Sequence, residues 1–386
     1  MEKQKRLFTP GPLNTSETVK RAMLRDLGSR DTEFLEVVRN IRRRLLELGR
    51  VAGGDYTAVL MQGSGTFAIE SVISSVLPGD GKLLVLINGA YGQRMAKIAR
   101  TLGIATETLV FPESRPVDPA VVRDVLMHHG EITHVGLIHC ETTTGLLNPL
   151  AEIGAAIKEC DRIFLVDAMS SFGGMPIDLA ASGIDFLVSS ANKCIQGVPG
   201  FGFVLARRDL LISAEGCARS LSLDLVAQWK GLDSDGQFRF TPPTHVLLAF
   251  WQALEELEKE GGIAARAARY AANHQALMAG MDALGFDSYL APEYQSNIIS
   301  SFLYPAHPNF DFRQFYQWLS DQGFVIYPGK VSDANCFRIG TIGQLFPDDM
   351  QSLVAAIRRT LDTMQIDSPR AARAGDRTIG GKLNAI

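Results

Sequence analysis

Two stretches decide the fold: Ile163-Phe164-Leu165-Val166-Asp167 and, further along, Phe186-Leu187-Val188-Ser189-Ser190-Ala191-Asn192-Lys193. Each is a short apolar run with one charged residue at or just past its end. Such runs read as strands buried on both faces, as in parallel sheets. Open α/β sheets bind their ligands beyond the carboxyl ends of the strands. Asp167 and Lys193 are therefore the first candidates for chemistry.

Working outward, residues 57–61, 83–87, 135–139 and 203–205 read as further strands. Ile69, Val72, Ile73, Val76 and Leu77 recur at helical spacing, and Pro78-Gly79-Asp80 stops that helix. Residues 91–102 and 149–159 read as helices too. Alternation of this kind from residue 57 to about 207 predicts an α/β fold, a mostly parallel sheet flanked by helices. Beyond 208 the pattern changes. Residues 213–243 lack a strong period, with an exposed turn expected at Asp233-Ser234-Asp235-Gly236. Residues 244–284 predict long helix, interrupted at Gly261-Gly262. Segments 297–303, 312–320, 324–327, 336–339 and 347–364 predict a smaller C-terminal α+β domain. The expected division is an N-terminal segment, 1–16, a large domain, 17–260, a small domain, 261–365, and a mobile tail, 366–386.

The chain has 386 residues, 46% of them hydrophobic, and a net charge of −4. That suffices for a large core and two domains. The near-neutral balance lacks the basic stripe of a nucleic-acid-binding protein. Cys140, Cys160, Cys194, Cys217 and Cys336 form no CxxC pair, which fits a reduced cytoplasmic protein without disulfides or a zinc site. Met1-Glu2-Lys3-Gln4-Lys5-Arg6 runs into Leu7-Phe8-Thr9-Pro10 without the apolar core of a signal peptide. No uncharged apolar stretch is long enough to span a membrane. The expectation is a cytoplasmic protein with no metal, membrane or nucleic-acid partner.

Gly63-Ser64-Gly65-Thr66 joins a predicted strand to a predicted helix. Open N–H groups at a helix start, with the helix dipole, bind phosphate, and the hydroxyls of Ser64 and Thr66 add donors. The spacing is neither the dinucleotide fingerprint nor a Walker loop. Tyr91, in Asn88-Gly89-Ala90-Tyr91, follows the next strand and can stack on a flat ring. His139-Cys140-Glu141-Thr142-Thr143-Thr144-Gly145 places three hydroxyls after another strand. Asp167, abutting apolar residues, is costly to bury unless paired, and a pyridinium N–H would pair it. Lys193 is a nucleophile once its proton is removed. Arg338, in Cys336-Phe337-Arg338-Ile339-Gly340, needs an anionic partner, either a structural carboxylate or a substrate anion. A phosphate loop, a ring-stacking aromatic, hydroxyls, an Asp and a Lys, in that order, are what a pyridoxal-phosphate enzyme needs.

Over residues 7–365 this order of motifs resembles fold-type I pyridoxal-phosphate enzymes of the class V aminotransferase family. The segments LFTPGPLNTS (7–16), NGAYGQRM (88–95), HCETTTG (139–145), VDAMSSFG (166–173) and SANKCIQGVPGF (190–201) carry the similarity. They look most like the branch of the family acting on 2-aminoethylphosphonate and pyruvate. Several are shared with alanine–glyoxylate and serine–pyruvate aminotransferases, which form the alternative reading. The resemblance implies that Ser64, Gly65 and Thr66 hold the cofactor phosphate. It implies that Tyr91 stacks on the ring, where relatives often have Trp, and that Thr142 lies near the ring oxygen. Asp167 would pair the pyridinium, and Lys193 would be the Schiff-base and proton-transfer lysine. Thr241, or Thr244 if the alignment slips, would reach the phosphate from the second subunit of a homodimer. Arg338 would hold the substrate anion, with Ser16 helping to hold the phosphonate, and residues 1–16 would lie near the active site. The implied reaction converts 2-aminoethylphosphonate and pyruvate into phosphonoacetaldehyde and L-alanine. Cysteine desulfurases of the same fold typically show His before the lysine, where this chain has Asn192.

Overall fold

The structure is a computed structural model that describes residues 4–329, 331 and 333–371. Its strands are β1 (Arg6–Leu7), β2 (Tyr56–Gly63), β3 (Lys82–Ile87), β4 (Ala105–Val110), β5 (His134–Ile138), β6 (Cys140–Glu141), β7 (Leu146–Leu147), β8 (Ile163–Asp167), β9 (Phe186–Ser190), β10 (Gly200–Arg207), β11 (Ile299–Leu303), β12 (Phe324–Val325), β13 (Tyr327–Pro328) and β14 (Cys336–Gly340). Seven of them form one sheet in the order β2-β10-β9-β8-β5-β3-β4. β10 runs antiparallel to both its neighbours, and the other pairs are parallel. This is the mostly parallel sheet the sequence predicts. β5 and β9 are buried along their whole length because helices cover both faces. The helix Gly65–Val76 lies on β2, β9 and β10, and the helix Leu150–Glu159 on β8.

Two kinds of element escape the periodicity reading. β4 is an edge strand whose residues alternate between exposed and half-buried, so it has no continuous apolar run. The helix Thr32–Leu48 buries Phe34, Val38, Ile41 and Leu45, a helical stripe separated by charged residues. The turn expected at 233–236 is shorter than the sequence suggests. Asp233 and Ser234 close the helix Leu225–Ser234, and the chain turns at Asp235 and Gly236, whose φ is 81°. At the predicted break, Gly261 (φ 106°) and Gly262 (φ 75°) adopt left-handed backbone between the helices Thr244–Glu260 and Gly262–Leu284.

The smaller C-terminal domain is a sheet in the order β11-β14-β13. Phe302, Phe315, Phe337, Leu353 and Ile357 form its core, with Leu277 and Met281 from the helix Gly262–Leu284. The N-terminal segment belongs to this core. β1 pairs in parallel with β12, and Phe8 is fully buried there. Ile366 is also buried, and the Ala371 N–H donates to Asp287 at 2.9 Å, so the start of the expected tail is packed on the small domain. The rest of that tail, 372–386, lies outside the described residues.

Candidate active site

Parallel register brings the loops of the site together. Asp167, the last residue of β8, is paired with Ile138 of β5 and Val188 of β9. The turns that follow these strands therefore open on one edge of the sheet. Lys193 lies in the turn from β9 to β10, and its carbonyl accepts the Gln196 N–H at 2.7 Å.

Lys193 is half-buried, and desolvation pushes its ammonium down to about 8. Its Nζ donates to the Pro10 carbonyl at 2.7 Å. The N-terminal segment thus covers the lysine. A Cβ on Gly11, whose φ is 119°, would fall 2.7 Å from Lys193 Cδ and 2.8 Å from Nζ. Asp167 is also buried, and burial pushes its carboxyl up to about 6, against the hydrogen bond from the Met169 N–H and the fields of Lys193 and Arg94. That hydrogen bond, to Oδ1, is 2.9 Å long. The neighbouring His139 shares its Nδ1 with the Ser171 hydroxyl at 2.9 Å, and burial lowers the imidazole to about 4, so it is neutral at pH 7.

Ser64 occupies the N-cap position of the helix Gly65–Val76, yet its hydroxyl makes no cap hydrogen bond. The N–H groups at this helix start are thus left without a side-chain cap. Gly65 lets this loop close on the Asp167 loop, because a Cβ there would sit 2.1 Å from Met169 Sδ. Ser64 is exposed and Thr66 half-buried.

Tyr91 lies in the first turn of the helix Ala90–Thr101, with the Arg94 guanidinium 4.9 Å from its ring centroid. Its N–H donates to Glu141 Oε2 at 3.1 Å. The sequence reading did not single out Glu141. It is fully buried, and its other oxygen accepts the Thr143 hydroxyl at 2.8 Å and the Thr143 N–H at 3.3 Å. Burial pushes its carboxyl up to about 7. The signal was available: like Asp167, it is an acid just past an apolar strand.

Arg338 occupies the central strand of the small sheet, opposite Tyr327 on one side and Ser301 on the other. It is 2% exposed. Its Nη1 donates to the Thr142 carbonyl at 2.6 Å and its Nε to the Pro328 carbonyl at 2.9 Å. The guanidinium carbon is 5.8 Å from the centroid of the Tyr327 ring. Among the described residues Arg338 forms no ion pair, so the structural carboxylate left open by the sequence is not among them.

Two expected site residues lie apart from this cluster. Ser16 caps the helix Glu17–Ala22: its hydroxyl accepts the Val19 N–H and donates to Glu256 at 2.8 Å. Its hydroxyl also lies 3.0 Å from that of Thr18. Thr241 is exposed, and its carbonyl accepts from Gln62 Nε2 at 3.3 Å. Gln62 lies just before the Ser64 loop, so the Thr241 segment is tethered beside it. Thr244 instead starts the helix Thr244–Glu260.

The residues fit pyridoxal phosphate. An uncapped helix start, a buried carboxylate held well above its usual range and a half-buried lysine held below its usual range share one sheet edge. Sheet and site together define an enzyme of fold type I, the pyridoxal-phosphate-dependent transferases. Within it the chain belongs to the class V aminotransferase family, whose model matches residues 14–332. It is 58% identical over 353 residues to a 2-aminoethylphosphonate–pyruvate transaminase of Syntrophobacter fumaroxidans, covering 91% of this chain and 95% of that one. It is 52% identical over 357 residues to the transaminase of that name from Vibrio cholerae, covering 92% and 97%. Among solved structures it superposes on pyridoxamine–pyruvate aminotransferase from Mesorhizobium loti with a TM-score of 0.86 at 24% identity, over 94% and 93% of the two chains. No helix among the described residues is long and apolar enough to cross a membrane.

Proposed function

We propose that this aminotransferase moves the amino group of 2-aminoethylphosphonate to pyruvate, giving phosphonoacetaldehyde and L-alanine, with pyridoxal 5'-phosphate as cofactor. The observation that carries the reading is Arg338: a buried guanidinium held by main-chain carbonyls, with its charge left for a ligand. The names of the relatives at 58% and 52% identity support 2-aminoethylphosphonate as donor over the alanine–glyoxylate and serine–pyruvate alternative.

Ser64, Gly65 and Thr66 would hold the cofactor phosphate, Tyr91 its ring face, Thr142 its ring oxygen, Asp167 its ring nitrogen and Lys193 its reactive carbon. When bound, the cofactor supplies an electron sink for bond breaking at the amino carbon. Asp167 would keep the ring nitrogen protonated, and that cation in turn offsets the burial that raises its carboxyl. Lys193, lowered to about 8, has a useful free-amine fraction near neutral pH. Its Nζ would accept the proton from the carbon bearing the amine and would hold it for return within the site. Arg338 grips phosphonate in one half of the reaction and carboxylate in the other, since a planar fork suits both. Thr9 and Pro10, both buried, keep water from the lysine.

The active form is a homodimer in which Thr241 serves the partner's phosphate site. A linked apolar patch supports this. Phe67 is 52% exposed, Phe240 45% and Leu221 77%. Gln62 bonds the Phe240 carbonyl and Arg239 the Leu221 carbonyl, so the three lie around one region. The cysteines among the described residues are free thiols, in keeping with the reducing cytoplasm.

The test is an amine-donor screen with purified enzyme and pyruvate. The reading expects 2-aminoethylphosphonate to exceed serine by at least about tenfold in kcat/KM, roughly 1.4 kcal/mol of transition-state binding, while alanine, whose transfer to pyruvate only regenerates the reactants, is tested with glyoxylate as acceptor. Faster transfer from serine or alanine to glyoxylate overturns it in favour of the alternative.

A further inference from the structure

We propose that Glu141 is a positioning residue whose two carboxylate oxygens tie the Tyr91 loop to the Thr142 loop and so set the grip of Arg338 on the substrate anion. The inference deepens the function proposed above and rests on it. Glu141 ends β6, is fully buried and forms no ion pair among the described residues. Oε2 faces the first turn of the helix carrying Tyr91, and Oε1 takes both donors of Thr143. Thr142, between Glu141 and Thr143, gives its carbonyl to Arg338. One carboxylate therefore fixes the ring-stacking side of the site and the carbonyl that aims the arginine.

The packing has left room for this acid specifically. Gly89 has extended backbone, φ 174°, which any residue adopts. A Cβ there would nonetheless fall 2.2 Å from Glu141 Cγ. Glycine is required at this point by the carboxylate, not by the backbone. Both oxygens of Glu141 accept, so an amide would turn its NH2 group toward an N–H on one side or the other. Buried acids without a cation are costly, and this one lies within the field of Arg338. If Glu141 served only its local turn, Glu141→Gln would cost stability but leave substrate affinity unchanged. If it organises the anion seat, affinity falls as well.

The experiment uses the cofactor-loaded enzyme and the variants Glu141→Gln, Gly89→Ala, Arg338→Lys and the Glu141→Gln/Arg338→Lys double. KM and kcat are measured separately for 2-aminoethylphosphonate and pyruvate. Equilibrium binding of ethylphosphonate, which has the anion but no amine, is measured by calorimetry, and cofactor absorbance is recorded. Expected is a rise of about fivefold or more in KM for both substrates in Glu141→Gln, a smaller fall in kcat and a matching loss of ethylphosphonate affinity. Gly89→Ala should reproduce this from the other side of the contact, and it carries the test if Glu141→Gln does not fold. The double variant should lose less than the product of the singles, because both act on one grip. KM and ethylphosphonate affinity within about twofold of wild type in both single variants, or strictly multiplicative losses in the double, overturn the proposal. If the wild-type enzyme rejects 2-aminoethylphosphonate, the functional reading fails, while the pyruvate measurements still test Glu141.

Discussion

Arg338, in the small domain, donates from Nη1 to the main-chain carbonyl of Thr142 at 2.6 Å, across 196 positions of sequence. The bond joins the central strand of the small sheet to a loop at the carboxyl edge of the large one. Its acceptor is neutral. The guanidinium is thereby aimed without being neutralised, which is what a residue reserved for a ligand anion requires.

Arg338→Lys should weaken both halves of the reaction, on the order of tenfold or more in kcat/KM, because a point charge replaces a planar fork. Cofactor absorbance should persist. The measurement is each half-reaction alone, at limiting and saturating substrate. A loss confined to the pyruvate half would mean that phosphonate has another anchor.

Lys193→Ala should fold, bind cofactor without the lysine's covalent link and lose turnover. In the wild type, burial holds the ammonium at about 8, so the free amine becomes the majority form as pH rises through that value. Capture of added cofactor by the cofactor-free protein, followed by absorbance in stopped flow, should accelerate through the same pH. A rate independent of pH there would mean that Lys193 is not the group captured.

Asp167→Asn should lose most of its single-turnover rate. It should also stabilise the cofactor-free protein. The folded carboxyl titrates at about 6 against 3.8 in the unfolded chain, so its ionisation opposes folding. The penalty is absent below the unfolded value, grows as pH rises between the two, and is complete above the folded one. Urea denaturation at about pH 8 should therefore favour the variant, by on the order of 2 kcal/mol, and the difference should vanish near about pH 4. Equal stability at both pH values would place the carboxylate in a better-compensated setting than its burial implies.

Gly11→Ala should slow turnover by on the order of tenfold, since the new methyl meets Lys193 Cδ and Nζ and the backbone is left-handed there. Stability should fall as well, because an L side chain is strained in that left-handed backbone. Turnover equal to wild type would show that the segment lifts away during the reaction.

Thr241→Ala and Lys193→Ala subunits, each of low activity alone, should regain activity when unfolded and refolded together. A mixed dimer has one site with both defects and one with neither, if Thr241 serves the partner. No recovery, with mixed dimers shown by mass, would place Thr241 in its own subunit's site.

The sequence alone determined the strands that are buried on both faces, because continuous apolar runs such as Phe186-Leu187-Val188 have no other stable use. It also located Asp167 and Lys193, since a charge at the end of such a run stands out against its neighbours. The Gly261-Gly262 break followed from local backbone preference. What it missed was decided by contacts between distant segments. β4 needed only one side chain in two to be covered, and a half-covered edge leaves no apolar run. The place of Ser16 at a helix start, beside Glu256 from 240 positions away, likewise came only with the fold. Glu141, like Asp167, follows an apolar strand, but only folding enclosed it between Tyr91 and Thr143. Periodicity records which face of an element is covered. It does not record what covers it, and the hold of Thr142 on Arg338 and of Pro10 on Lys193 exists only once the chain has closed on itself.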